Sequence, residues 1–436
     1  MSHYSVADHR KVFAIALPMI ISNIAAPMLG LVDTAIIGHL PDAIYLSAVA
    51  LGAMAINFIY LLAVFLRMST TGVVAQSYGA QDVPAQQRHF VHGLLFALAL
   101  GLLCLLMQPL LLWALWQLVS GDQALQTLTN SYISIRLWGA PAALTNLVVL
   151  GVLLGRQQSK SAMSLVILAN LVNVMLDVIL IIGLGMNVAG AAWASVTAEW
   201  VTAIAGVVIV TRSLQMKLGQ WPRARWQECK QLFSLNQDIL IRSIVLQLCM
   251  AMMTAYASYY GQVTVAANAV LMQFLMLISL GLDGIAYATE ALLGQAKGQN
   301  RRDRLRHWFW LTLFWSAIFA LIYSLLFYFF GLNIIGLITN IPEVIESAGL
   351  YLPWLIALPL LAHWSYFFDG VYIGLSHSKA MRDSMLMAAA FGFLPAWWLT
   401  QAWQNHGLWF ALSVFMVSRG LAQAWLIKKR GMLQLE

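Results

Sequence analysis

The sequence predicts an all-α membrane protein of twelve transmembrane helices, built as two six-helix bundles related by a pseudo-twofold axis along the membrane normal. Three observations carry this. Hydrophobic residues are 61% of the 436 and charged residues 9%, with mean hydropathy +0.78, against about 25% charged in a soluble domain. Two motifs recur at one offset: Gln76-x-x-Gly79 returns as Gln295-x-x-Gly298, and Gly155-x-x-x-Ser159-Lys160 as Gly374-x-x-x-Ser378-Lys379, each 219 residues later. A shared offset marks a tandem duplication. Finally, the basic residues alternate by loop, as membrane topology requires.

Each element follows from the need of a bilayer core for about 20 apolar helical residues with no unpaired backbone. The first run, 12–38, carries Pro18 and Asp33 and is too long for a signal-peptide core, so it reads as a retained helix. The second, 45–78, contains Arg67 and ends in the first Gln-x-x-Gly copy; the third is 90–117. The fourth, 127–154, holds Arg136 and Trp138. The fifth, 161–184, holds Asn173 and Asp177, four residues apart and so on one helix face. The sixth, 188–212, holds Ser195 and Glu199. A polar stretch, 214–230, with Gly219 and Pro222, links domain 1–213 to domain 231–436. The second half repeats the count: 231–259 with Asp238, Arg242 and Met252, 264–297 with Asp283 and Glu290, 307–333, 343–374 with Asp369, 382–403, and 405–428 with Arg419. Six spans per half is even, so both copies face the same way.

With the N terminus inside, every Lys and Arg outside the spans falls on the inner side, including the group from Arg212 to Lys230 and the group from Lys297 to Arg306. The net charge of +7 is therefore topology and not a nucleic-acid footprint. Both termini are expected in the cytoplasm. Of three cysteines, Cys104 and Cys249 lie in spans and Cys229 in the linker, which implies neither a disulfide nor a metal site.

There is no P-loop, H-E-x-x-H, C-x-x-C or G-x-S-x-G, so the chain reads as no enzyme and needs no cofactor. Transport would then draw on an ion gradient, and intramembrane ionisable groups are its candidates. Asp33 lies roughly 8 Å below the outer end of its helix, and Asp177 and Ser195 roughly 10 Å from theirs. With Asn173 they make two acids, an amide and a hydroxyl at one depth, able to hold a proton or a dehydrated cation. Two carboxyls so close titrate as a unit. Applying the offset, Asp33 corresponds to Met252, and the second half has no acid at the Asp177 level. Coupling is thus expected in the first half, with a Met-rich substrate wall in the second. Arg136 or Glu199 could tune the acids, and Trp138 is a cation-stacking candidate. At the inner level Arg67, Asp238, Arg242, Asp283, Glu290, Asp369 and Arg419 mix signs, as ion pairs of a cytoplasmic gate or as permanent structural pairs.

Three segments then resemble one known family: Leu31-Val-Asp33-Thr-Ala-Ile-Ile-Gly38, the run from Arg67 through Gln76 to Gly79, and Asn173-Val-Met-Leu-Asp177. Over essentially the whole chain the sequence resembles the multidrug and toxic compound extrusion (MATE) family, in its DinF-like branch. The resemblance implies a V-shaped pair of six-helix bundles in the bacterial inner membrane, expected to act as a monomer. It implies export of cationic or amphipathic small molecules in exchange for protons, or for sodium. The family's ion site carries over onto Asp33, Asn173, Asp177 and Ser195, the last replacing a threonine, and Pro18 matches the proline where the first helix bends. The NorM-like branch places cation-binding acids on helices seven and ten, whereas helix seven here offers methionines at that level. A lipid or lipid-linked-glycan flippase is the alternative, and would favour a more basic cavity. A polytopic membrane enzyme is a remote one, and would need a polar catalytic loop.

Overall fold

The computed structural model describes residues 4–40, 42–118, 122–217, 221–222 and 226–433. Every regular element among them is helical. We number the spans α1 (Val6–Gly38), α2 (Ala43–Gly79), α3 (Val83–Leu106, resuming as Gln108–Leu118), α4 (Gln123–Leu137 and Ala140–Gly155), α5 (Ser159–Gly183), α6 (Asn187–Ser213), α7 (Trp226–Ala257), α8 (Gln262–Gly298), α9 (Arg302–Ile338), α10 (Pro342–Gly374), α11 (378–399) and α12 (Asn405–Lys429). Ten of these, all but α4 and α11, contain a helix long and apolar enough to cross a membrane by itself. The two halves of α4 pass that test together, across a 48° bend. In α11 a π-helical stretch, Ala388–Phe393, separates two short α-helical pieces. The twelve-helix expectation stands.

The chain divides into two compact units, residues 21–232 and residues 1–20 with 233–436. The boundary falls inside α1, two residues beyond Pro18, whose missing N–H removes one ladder bond from that turn. The first twenty residues thus count with the second unit, not with the first half as the 1–213 boundary expects. In that unit Asp8 accepts from His307 Nε2 at 3.3 Å, Trp315 Nε1 donates to His9 at 3.0 Å, and Lys11 Nζ donates to Gln295 Oε1 at 3.1 Å. The end of the 214–230 linker is helical, because α7 starts at Trp226. Gly219, Arg223, Arg225 and the Cys229 side chain lie outside what is described.

The repeated motifs are packing and capping devices. In the first unit a Cβ on Gly151 would stand 2.8 Å from the Arg67 carbonyl oxygen, and one on Gly155 2.9 Å from that of Thr71. In the second, a Cβ on Gly370 would stand 2.6 Å from Ala286 O, and one on Gly374 2.6 Å from Glu290 O. All four contacts keep the 219-residue offset, so α2 crosses α4 as α8 crosses α10, with backbones touching where only glycine fits. The caps repeat too: Gln81 and Asn300, then Gln157 and Ser376, take positive φ after their helices. Asp82 N, Arg301 N, Gln158 N and His377 N each reach back five residues to a carbonyl, the long bond of a Schellman cap.

Hydrophobic clusters fill both units. In the first, Ile37, Ile56, Ile133, Leu137 and Ile181 draw on α1, α2, α4 and α5. In the second, Phe274, Phe327, Phe393, Trp409 and Phe415 do the same from α8, α9, α11 and α12.

Candidate functional site

Within the first unit lies a cavity of about 690 Å³. Three helices shape it, two of them through irregularities. α4 breaks after Leu137 and restarts with Pro141 in its first turn, so Arg136 sits in the last turn of a half-helix, where exposed carbonyls favour a cation. α5 leaves α-helical geometry right after Asp177, with Val178–Gly183 in a π turn of the kind common at functional sites. α1 brings Gly30, Asp33 and Thr34 to the wall.

The four predicted residues converge. With its amide nitrogen turned to the acids, Asn173 donates to Asp33 Oδ1 and to Asp177 Oδ2, each at 3.1 Å, while its oxygen meets the Ser195 N–H and hydroxyl at 3.1 Å. The opposite orientation would set amide oxygen against carboxylate oxygens. One amide thus brings the two carboxyl groups together, where two ionised carboxylates would repel and offer only acceptors, an arrangement suited to holding a proton. Asp33, Asn173 and Ser195 line the cavity, whereas Asp177 sits behind them at 1% exposure. A second hydrogen bond, from Asn170 Nδ2 to Ala25 O at 3.0 Å, ties α5 to α1.

Arg136 and Glu199 meet each other in the same wall. Arg136 Nη2 lies 2.9 Å from Glu199 Oε1, and the guanidinium stands over the Tyr60 ring at 5.8 Å. Trp138 does not line the cavity: its ring is 60% exposed, and its carbonyl accepts from Trp200 Nε1 at 3.0 Å. The aromatic lining residue is instead Tyr132, one turn before Arg136. Sequence reading missed Tyr132, Asn57 and Asn146. Their only signal was polarity inside apolar runs.

Met252 is half-buried against the second unit's hydrophobic cluster and is not among the lining residues of this cavity. The inner-level charges of that unit pair within it. Asp369 Oδ2 accepts from both Arg242 and Arg419, and Oδ1 from Gln423 Nε2 at 2.8 Å. Asp238 accepts from Arg382 Nη1 at 2.7 Å and from the Ser378 hydroxyl at 2.8 Å. Asp283 lies close enough to Arg242 to act on its charge, and Glu290 is buried where α8 meets α10. Arg67 belongs to the other unit, buried at the α2–α4 crossing. The pairs of Asp369 and Asp238 thus close inside one unit.

The comparisons with known proteins agree with this architecture. The MatE family model matches twice, over residues 18–179 and 239–398, one match per half. The chain is 42% identical over 426 residues to DNA damage-inducible protein F of Escherichia coli, covering 97% of this chain and 92% of that one. It is 27% identical over 313 residues to the multidrug resistance protein MdtK of Edwardsiella ictaluri, covering 69% and 67%. Among solved structures it superposes on a MOP superfamily transporter from Pyrococcus furiosus with TM-score 0.85 and 20% identity, covering 97% and 96%. The likeness at that identity shows the shared fold. Two family matches in series, and a relative 42% identical over nearly the full length, make this chain a member of the MatE family of multi-pass membrane transporters.

Proposed function

We propose that this transporter exports cationic or amphipathic small molecules in exchange for protons. The observation that carries the reading is the pair Asp33 and Asp177 bridged by the Asn173 amide at one wall of the cavity. Asp33 faces the cavity and can hold a cationic group; Asp177 stands behind it and can exchange the proton. A proton arriving from outside neutralises the pair and releases the cation, and its loss to the inside resets the site. Sodium would need about five or six oxygens in fixed geometry. In the cluster the Asn173 amide nitrogen faces both acids and its oxygen is taken up by Ser195, so a donor stands where a sodium ion would need an acceptor, which favours the proton. The name of the MdtK relative adds support for multidrug substrates. The basic inner loops support insertion in the bacterial inner membrane with both termini inside.

The test is efflux of a cationic dye from proteoliposomes. An imposed proton gradient in sodium-free buffer should drive it, and an uncoupler should stop it. Full transport driven by a sodium gradient at constant pH would overturn proton coupling and recast the cluster as a sodium cage.

A further inference from the structure

The cavity wall holds one more polar element that the proton cycle does not use. Arg136 is 7% exposed and lines the cavity, yet it gives Glu199 only a single hydrogen bond, through Nη2. Its Nη1 is buried with no hydrogen-bond partner among the described residues. Asn146 Oδ1 and Glu199 Oε2 are likewise buried and unpartnered. A guanidinium presents five donors in a planar fork matched to a carboxylate, and leaving a buried donor unpaired is costly. Packing fixes the fork instead of leaving it to swing. A Cβ on Gly139 would stand 2.0 Å from Glu199 Oε2, so that carboxylate lies flat on the α4 break, and the Asn146 amide donates to the Glu199 carbonyl at 3.1 Å. The Tyr60 ring covers the guanidinium and Tyr132 stands beside it. Arg136 thus keeps one unpartnered donor nitrogen in the wall of a cavity that Asp33 also lines.

We infer that Arg136 is an anion-recognising subsite, and that the transporter's substrates are amphiphiles bearing a carboxylate or sulfonate together with their cationic group. The inference rests on the export reading above and names its substrate class. The cationic group faces Asp33, and the anionic group completes the fork of Arg136, held in register by the pair with Glu199. A net-cationic ligand lacking the anion leaves Nη1 unpaired and binds more weakly. Since a hydrogen bond to a charged group is worth a tenfold or greater change in affinity, the difference is about tenfold.

The experiment compares a zwitterionic rhodamine carrying a free carboxylic acid with the ethyl ester of the same dye, which is a plain cation. Equilibrium binding to the purified full-length protein in detergent is read by fluorescence anisotropy, and transport of both dyes is measured separately in proteoliposomes. Wild type should bind the acid about tenfold tighter than the ester. Arg136→Gln should bring that ratio to near one. Glu199→Gln, which removes the negative charge competing for the guanidinium, should raise the ratio instead, and this opposite sign keeps the inference testable if the Arg136 variant folds poorly. Equal binding of acid and ester by wild type, equal losses for both dyes in Arg136→Gln, or binding of neither dye would each overturn it. Failure of the export reading shows differently: selective binding of the acid without proton-driven movement of either dye.

Discussion

Asp33 and Asp177 share one hydrogen-bonded cluster but face different surroundings, and that difference predicts unlike mutants. In Asp33→Asn the cavity wall loses the carboxylate of the acid cluster, because Asp177 sits behind Asn173 and does not line it. Two unit charges about 4 Å apart attract by roughly 4 kcal/mol at an effective dielectric of about 20. Desolvation offsets part of this, and hydrogen bonds to charged groups retain about 1.5–3 kcal/mol. Affinity for a cationic dye should therefore fall between about tenfold and a hundredfold. Asp177→Asn keeps the lining carboxylate, so affinity should change much less, while the amide can no longer exchange the shared proton and the pH gradient no longer drives efflux. Dye anisotropy on purified protein measures the first quantity. Acid-pulse efflux in proteoliposomes at matched protein level measures the second. Wild-type efflux in either variant would refute the coupling role, and equal affinity losses in both would refute the division of labour between the two acids.

Four further outcomes follow from the packing and the loops. Asp369→Asn leaves two buried guanidiniums, Arg242 and Arg419, facing each other without their carboxylate; it should cost about 3–5 kcal/mol and show as a large fall in detergent Tm, whereas a gate residue would change transport at unaltered Tm. Gly151→Ala and Gly370→Ala place a methyl 2.8 and 2.6 Å from backbone oxygens, so each should cost about 1–3 kcal/mol of overpacking, seen as matched drops in Tm. Met252→Ala should lower Tm by an amount typical of a half-buried core methionine, with proton-driven dye efflux preserved; loss of proton drive would contradict the placement of coupling in the first unit. His377, in the turn before α11, is held down to about 4 from 6.5 by burial, with Lys297 and Arg430 nearby. The unfolded chain then takes the proton first, so the stability it contributes is complete above about pH 6.5 and is lost as pH falls toward 4; His377→Asn should flatten that part of a Tm-against-pH curve.

The spans were legible because burial in lipid leaves a continuous apolar run, and the charge alternation checks their number. The acid cluster was legible because depth along a helix follows from residue count, and three helices put Asp33, Asp177 and Ser195 at one level. Direction around the helix was not. Whether Arg136 meets Asp33 or Glu199, and whether Trp138 turns inward, depends on the break of α4 and the π turn of α5, which shift the angular phase of everything beyond them. The boundary between units was also hidden. Hydropathy treats 12–38 as one run, while tertiary contacts give its first turns, with Asp8, His9 and Lys11 just before them, to the second unit.

The duplication shows which features a transporter repeat must keep and which it can give up. What persists across 219 residues is backbone geometry: in each half two glycine contacts and two positive-φ caps, each requiring a particular residue type or conformation at one point. What diverges is polar chemistry. At the same inner contact, the first unit sets Arg156 over the Tyr78 ring, at 5.7 Å, while the second sends Lys297 from the Tyr78-equivalent position to the Leu375 carbonyl, at 2.6 Å. The cation has moved to the other helix and the contact has survived. The same freedom let one half keep Asp33 and Asp177 while its partner took Met252 and an apolar core at the corresponding levels. A buried carboxyl is costly in a membrane, so a single copy suffices where one proton per cycle is enough. The expected consequence is a stoichiometry of one proton per cationic charge exported, measurable from the reversal potential of dye flux. A value of two would require a second titrating site, and of the buried acids of the second unit Asp369 already has both carboxylate oxygens occupied by Arg242, Arg419 and Gln423, while Asp238 is held by Arg382 and Ser378.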